Sequence, residues 1–234
     1  MTPLTNLDVV ALAWFLAAWI GYAIAVEWLP QGRKSLNSLM DLHRETWMVR
    51  MLARDVRIID TQITASLQNG TAFFASTSLL AIGGALTLLR STDDILDMTQ
   101  GLPFGIGATR LEWEVKTFGL ALIFVYAFFK FAWSYRLFNY VAILLGAAPP
   151  AEDRETPDAR IHARRTARLC EEAGRHFNRG QRAFFLALGY LGWFVSPWVF
   201  MATTAAVLVV MWRRQFGSNA QHAVKDDRFE TSSP

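Results

Sequence analysis

The chain has 234 residues, of which 53% are hydrophobic and only 18% are charged. This composition lies outside the usual range of soluble domains. The net charge is only +3 and the arginine clusters are interspersed with Glu and Asp, which disfavours nucleic-acid binding. Cys170 is the single cysteine, so an internal disulfide is excluded. The apolar residues form long blocks, and we therefore predict an all-α polytopic membrane protein.

Four apolar blocks reach the roughly 20 residues that a helix needs to cross a bilayer core of about 30 Å. We predict membrane helices at about 7–29, 63–89, 115–146 and 183–212. The first has no Lys or Arg before it and is too long for a signal peptide, so it is predicted to be an uncleaved anchor. Residues 1–215 would form one four-helix membrane domain, followed by a polar, disordered tail at 216–234.

Two charged helical stretches, about 35–62 and 157–182, precede the second and fourth blocks. Each is predicted to continue into the membrane helix that follows, giving long cytoplasmic helical extensions. The second stretch carries mostly small residues at spacings of four and three, which lets another backbone approach closely. This small-residue seam packs within the subunit or between subunits, and it consists of Ala163, Ala167, Cys170, Gly174 and Phe177.

The distribution of Lys and Arg predicts the orientation. The connection at 30–62 carries six of them and the one at 149–182 carries eight, whereas the acidic connection at 91–114 has Arg110 alone. The two basic connections are therefore predicted to be cytoplasmic, with both termini and the acidic loop outside. Arg213 and Arg214 conflict with this topology, because it would export them.

One polar stripe organises the chain. Residues spaced by seven share a slowly turning face of a helix, and here they are Asp55, Gln62, Asn69, Ser76 and Gly83. Ser66 lies one turn from Gln62 and Asn69 and joins the same face. An unsatisfied amide in hydrocarbon costs several kcal/mol, so this stripe should face another helix or water.

Ionisable residues within the apolar blocks are candidate functional groups. Lys130 and Arg136 lie far along the third block, and Lys130 would be roughly 20 Å from its outer end. Lys130 could extend to the interface, or it could pair with Glu27, with Asp60 or with the polar stripe. The sequence leaves these alternatives open.

No motif of catalysis, metal binding or cofactor binding occurs. The four histidines are scattered, at His43, His162, His176 and His222. We therefore predict that the protein is not an enzyme and that it has no catalytic residues, cofactor or metal site.

The stretch after Trp47 and Arg50 carries a recognisable pattern. It contains RIIDTQ at 57–62, Asn69-Gly70, and FFASTS at 73–78. In these pieces the chain resembles the domain of unknown function 599 family, over residues 7 to about 215. The resemblance implies a four-helix membrane protein, mainly bacterial, without an assigned activity.

Together these features predict a protein of the bacterial inner membrane whose partners are the lipid bilayer and either further copies of itself or the subunits of a larger membrane complex. The function they favour is that of a non-catalytic accessory or scaffold component, with the stripe serving as interhelical hydrogen-bond contacts. The alternative is a small homo-oligomeric channel or transport protein, in which the same stripe lines a polar path.

Overall fold

The computed structural model describes residues 4–28, 35–94, 109–217 and 219–224. Within these ranges the chain is helical and forms no strand, which confirms the all-α prediction. The helices are α1 (Asn6–Glu27), α2 (Leu36–Met51), α3 (Ile58–Arg90), α4 (Arg110–Gly146), α5 (Pro157–Tyr190), α6 (Pro197–Phe216) and α7 (Asn219–Val224).

Hydroxyl side chains set most helix starts. Each accepts a hydrogen bond from a backbone N–H of the first turn, which would otherwise have no partner. These caps are Thr5, Ser35, Thr109, Thr156 and Ser196. Helix α3 differs, because Arg57 precedes it without a capping side-chain hydrogen bond.

Three of the described helices, α1, α3 and α4, are long and apolar enough to cross a membrane. They have 22, 33 and 37 residues, or about 33, 50 and 55 Å of helix at 1.5 Å per residue. In the most apolar 18-residue segment of α1, only 11% is buried inside the bundle, and the share is the same in α3. Most of their apolar surface therefore faces outward.

The predicted fourth membrane helix at 183–212 is wrong as a single span. Helix α5 ends at Tyr190, a 3₁₀ turn follows at Leu191–Phe194, and α6 starts at Pro197. The chain reverses direction at this turn. The evidence is that the Arg214 guanidinium lies 5.8 Å from the ring of Phe185. In one continuous helix these residues would be about 43 Å apart. Pro197 occupies the first turn of a new helix, where its missing N–H costs nothing.

This reversal sets where the ends of α6 lie relative to the ends of α1. The start of α1 lies beside the α5–α6 turn, where Trp193 Nε1 donates to Asp8 Oδ1 at 2.7 Å. The end of α1 lies beside the end of α6, where the rings of Tyr22 and Trp212 are 6.3 Å apart. The N-terminus of α1 and the C-terminus of α6 therefore lie at opposite ends of the bundle. The side of the membrane on which each terminus lies stays a prediction.

The predicted continuous helix from 35 through the second apolar block is also wrong. Helix α2 ends at Met51, residues 52–57 are non-helical, and α3 begins at Ile58. In the predicted tail, 219–224 forms the short helix α7. Residues 225–234 of the tail, and 95–108 of the acidic loop, lie outside the described residues, so the predictions made for them stay predictions.

Helix α4 is the centre of the bundle, flanked by α3 on one side and α5 on the other. One core lies around the start of α1 and is rich in aromatic residues, including Phe15, Phe131 and Trp193. A second core lies between α2, α4 and α5 and includes Met48 and Val141.

Candidate functional site

The predicted polar stripe lies on the outer surface of the bundle. Every stripe residue within α3 is exposed: Gln62, Ser66, Asn69, Ser76 and Gly83. We call these five residues the outward stripe. Asp55 is exposed too, but it lies in the non-helical connection before α3 and does not continue the stripe.

The outward stripe has no polar partner in the described part of the chain. Among the described residues, the side chains of Gln62, Ser66, Asn69 and Ser76 make no hydrogen bond. A Cβ added at Gly83 would meet nothing within 4 Å. An unpaired amide is costly in hydrocarbon, so a helix of this length and apolarity presents a face that a lone subunit leaves unsatisfied.

The opposite side of α3 is buried against the bundle. This inward face consists of Asp60, Thr64, Thr71, Ser78 and Ala85. Its hydroxyls donate to carbonyls of the preceding helical turn, those of Asp60, Leu67 and Phe74, at 2.7–2.9 Å. Such local bonds satisfy a hydroxyl without any second helix. The inward face can therefore pack against α4 and α5.

An amide does find a partner where α3 meets α4. Gln68 Nε2 donates to Asn139 Oδ1 at 2.6 Å. The two side chains are half-buried, and the bond joins two membrane-capable helices. Amides on α3 are therefore paired where a neighbour is present and unpaired on the outward stripe.

Asp60 anchors the turn between α2 and α3. Its side chain is completely buried, and its Oδ1 accepts from Trp47 Nε1 at 2.7 Å and from Arg54. Oδ2 of the same carboxylate has no partner among the described residues. Trp47 and Asp60 belong to the pattern noted in the sequence, so part of that pattern has a structural role.

Arg57 makes a second link in the same turn. It donates to the carbonyl of Ala148 at 2.9 Å and to that of Pro149. These carbonyls lie where α4 ends, so the arginine fixes the start of α3 to the connection that leads to α5. Arg57 and Asp60 together connect the α2–α3 turn to α2 and to the end of α4.

The pairing of Lys130 with an acid, one of the alternatives that the sequence left open, is not formed among the described residues. Glu27 binds Arg179 and Arg182 instead, and Asp60 binds Arg54. The Lys130 ammonium lies 5.1 Å from the ring of Tyr126 on its own helix, an attractive cation–π contact.

Arg136 also keeps to its own helix. It donates to the hydroxyl of Tyr140 at 2.7 Å, and its guanidinium lies over the rings of Trp133 and Tyr140. Neither Lys130 nor Arg136 contacts the outward stripe.

The sequence interpretation missed a buried ionic cluster at the start of α1. Asp8 and Lys116 are 2% and 3% exposed, with Lys116 Nζ 3.9 Å from Asp8 and 2.5 Å from Glu112. Trp193 joins the cluster through its bond to Asp8 and by lying under the Lys116 ammonium. The signal in the sequence was an acid and a base, each near the start of an apolar block.

The small-residue seam packs within the subunit. Ala163, Ala167 and Cys170 are at most 1% exposed and belong to the core between α2, α4 and α5. Gly174 lies under Arg44 of α2, where an added Cβ would be 2.9 Å from the guanidinium. Phe177 contacts the rings of Phe74 and Phe131.

Two acids near this seam are perturbed. Burial raises the pKa of Asp41, with Arg44 acting in the opposite sense. Burial also raises the pKa of Glu171, and the negative charge of Asp41 adds to that rise. Burial raises the pKa of the Cys170 thiol to about 11, so the thiol stays protonated at neutral pH and is a poor nucleophile.

The described residues offer no group of three His, Cys, Asp or Glu side chains that could hold a metal ion. His176 lies 3.3 Å from Glu172, on the same helix. The buried polar groups of the bundle hold helices together, and the outward stripe presents a polar surface without partners among the described residues.

A family model described as "Protein of unknown function, DUF599" matches residues 10–220. The chain therefore belongs to the DUF599 family, and the resemblance noted in the sequence is confirmed. No curated protein and no solved structure matches the chain.

Proposed function

We propose that the protein is a non-catalytic assembly component of the bacterial inner membrane that associates with a second copy of itself through the outward stripe of α3. The observation that supports this is the exposure of Gln62, Ser66, Asn69 and Ser76 on a helix long and apolar enough to span a bilayer. In lipid these groups need a partner.

A second copy is well suited to cover the stripe. Side-chain amides both donate and accept hydrogen bonds, so the same face on a neighbour satisfies them across a two-fold axis. Two copies inserted in the same direction bring their α3 helices together in parallel. Residues of this face, all exposed except the half-buried Ala72, then occupy the a and d positions of a heptad seam: Gln62, Ala65, Asn69, Ala72, Ser76, Leu79, Gly83 and Leu86.

The arrangement of this seam also sets the register. A polar residue at a single a position fixes alignment in parallel coiled coils, and Gln62 and Asn69 both stand at such positions. Small residues at Ala65, Ala72 and Gly83 let the two backbones approach closely. The rest of the apolar surface of α3 would face lipid.

We infer an orientation in which α1 begins outside and α6 ends in the cytoplasm, because these two helix ends lie at opposite ends of the bundle. Arg213 and Arg214 then lie on the same side as the basic segments of α2 and α5, as the positive-inside rule requires. The conflict raised by these two arginines in the sequence disappears. The acidic residues Asp93 and Asp94 lie on the opposite, outer side.

Self-association is tested by energy transfer between labelled copies in liposomes, with Gly83→Leu as the disrupting variant and Gly21→Leu of α1 as the matched control. A Cβ has open space at both glycines, so both variants should fold. We expect association in the native protein and in the Gly21 variant and its loss in the Gly83 variant. A native protein that stays monomeric at all protein-to-lipid ratios would contradict the proposal.

A second measurement distinguishes the proposed packed seam from a channel. Cysteines at Asn69 and Ser76, in a Cys170→Ala background, are exposed to a small water-soluble thiol reagent in the assembled protein. The proposal predicts protection of both positions, because the seam is dry. Rapid labelling of both would show a water-filled path and would favour the channel.

A further inference from the structure

A cavity of about 490 Å³ lies between α1, α2, α5 and α6, on helices that do not include α3. One end of it is lined by the apolar side chains of Phe185, Leu188, Ala206, Val207 and Val210. The other end is lined by Asn37, Asn178, Gln181, Arg182, Arg214 and Gln215.

The two ends are separated along the helix axes. Helices α5 and α6 are antiparallel, so Leu188 is level with the middle of α6 and Gln181 is level with its end. Asn178 and Leu188 are ten residues apart, or about 15 Å of helix. The cavity therefore changes from polar to apolar along its length, with the apolar end pointing into the bilayer region.

The polar end has hydrogen-bonding capacity that the described residues do not use. The side-chain amides of Asn178 and Gln181 make no hydrogen bond within the described ranges. Gln215 Nε2 is shielded from solvent and has no partner there either. Buried polar groups without a partner are uncommon and call for an explanation.

The charge at this end favours an anion. The guanidinium of Arg214 stacks on Phe185 and forms no ion pair with a carboxylate in the part of the chain that the structure describes. A smaller cavity of about 290 Å³ shares Asn178 and Arg182 with the first and adds Arg175 and Arg179. Arg179 and Arg182 pair with Glu27, and Arg175 pairs with Glu172. Of the arginines that line the two cavities, Arg214 is therefore the one without a carboxylate partner among the described residues.

We propose that this cavity binds an anionic phospholipid. The phosphate would contact Arg214 and the side-chain amides, and the beginning of one acyl chain would lie against Leu188 and Val207. Arginine binds phosphate oxygens through paired N–H groups, and basic pockets between membrane helices on the cytoplasmic side are a known kind of headgroup site. The lipid would be taken directly from the inner leaflet.

The dimensions select a lipid over a free anion. A volume of about 490 Å³ lies in the range of small-ligand sites and holds a headgroup with part of one chain, the remainder staying in the bilayer. A free phosphate would leave the apolar half of the cavity empty. A lipid satisfies both halves.

The test is lipid retention by native mass spectrometry, together with thermal stability, for the full-length protein in mild detergent. The probes are phosphatidylglycerol, phosphatidylcholine and sodium phosphate. We expect one phosphatidylglycerol per chain and a raised Tm, with no such effect of phosphatidylcholine. Equal effects of the two lipids, or full protection by sodium phosphate alone, would overturn the proposal.

Two variants locate the site. Arg214→Gln is expected to weaken phosphatidylglycerol binding roughly tenfold, which corresponds to about 1.4 kcal/mol, whereas Arg213→Gln next to it should bind normally because Arg213 does not line the cavity. Ala206→Trp should block the apolar end and abolish retention with little change in the lipid-free Tm. Normal lipid retention by both cavity variants would contradict the assignment.

Discussion

The inward face and the outward stripe of α3 each carry four polar side chains, but these side chains differ in their hydrogen-bond partners. On the inward face, Thr64, Thr71 and Ser78 bond to their own helix and Asp60 is held by Trp47 and Arg54. On the outward stripe, Gln62 and Asn69 carry amides, which need a partner beyond their own helix. The hydroxyls of the inward face are thus satisfied within one subunit, and the outward stripe is the face that we propose a second copy covers.

This comparison separates two kinds of mutational effect. Changes on the inward face should alter the stability of the subunit and leave association unchanged. Changes on the outward stripe should alter association and leave the subunit intact.

The largest effect is expected for Asp60→Ala. The substitution leaves Trp47 Nε1 and Arg54 without their acceptor, and a hydrogen bond to a charged group contributes about 2 kcal/mol. We expect Tm in mild detergent to fall by about 6 °C. Asp55→Ala, at the exposed connection, is the control and should leave Tm unchanged. Equal Tm values for the two variants would contradict the role of Asp60.

The double variant Gln62→Leu with Asn69→Leu should weaken self-association. Interhelical hydrogen bonds in membranes contribute roughly 0.6 kcal/mol each, so the loss of one bond at each of the two positions removes about 1.2 kcal/mol. The apparent Kd from energy transfer in liposomes should rise about tenfold, with Tm in detergent unchanged. Tyr135→Leu, at an exposed position of α4, should do neither. A lower Tm with unchanged self-association would show that Gln62 and Asn69 stabilise the subunit itself, and this would contradict the proposal.

Gln68→Leu is expected to cost about 1 kcal/mol of subunit stability. It leaves Asn139 unpaired between α3 and α4. The further change Asn139→Leu should recover most of the loss, because no polar group then remains without a partner. Additive losses in this double-mutant cycle would mean that the 2.6 Å contact contributes nothing.

Thr71→Val should have the smallest effect, within about 0.5 kcal/mol, although the side chain is only 1% exposed. Its hydroxyl bonds only to the carbonyl of Leu67 on the same helix, and that carbonyl keeps its helical partner. Thermal unfolding in detergent measures the change. A large fall in Tm would show that this hydroxyl has a partner on another helix.

Some of this structure could be predicted from run length alone. Helices α1 and α4 match the predicted spans at 7–29 and 115–146, because long apolar runs leave few alternatives to a helix. The spacing by seven correctly placed Gln62, Asn69, Ser76 and Gly83 on one face, since periodicity fixes which residues share a face. It does not fix which neighbour that face meets, so the outward direction of the stripe was not predictable.

The reversal at 191–196 shows a different limit. Proline inside an apolar run is equally compatible with a kinked helix and with the first turn of a new helix. The choice depends on tertiary packing: Gly189 and Gly192 let α6 return alongside α5, with an added Cβ at Gly192 only 2.4 Å from Thr203 Oγ1. Likewise, Glu27 and Asp60 pair with arginines that tertiary packing brings close to them. The position of Lys130 along α4 could not reveal these partners.

The most direct test of the outward stripe is disulfide formation at Asn69→Cys, in a Cys170→Ala background, in native membranes under a mild oxidant. Two cysteines link only when their Cα atoms are about 4.4–6.8 Å apart, as they would be at the centre of a parallel α3 seam. The account predicts a covalent dimer for Asn69→Cys and none for Leu122→Cys, an exposed position on α4. Monomer alone for Asn69→Cys, or an equal yield from both positions, would contradict it.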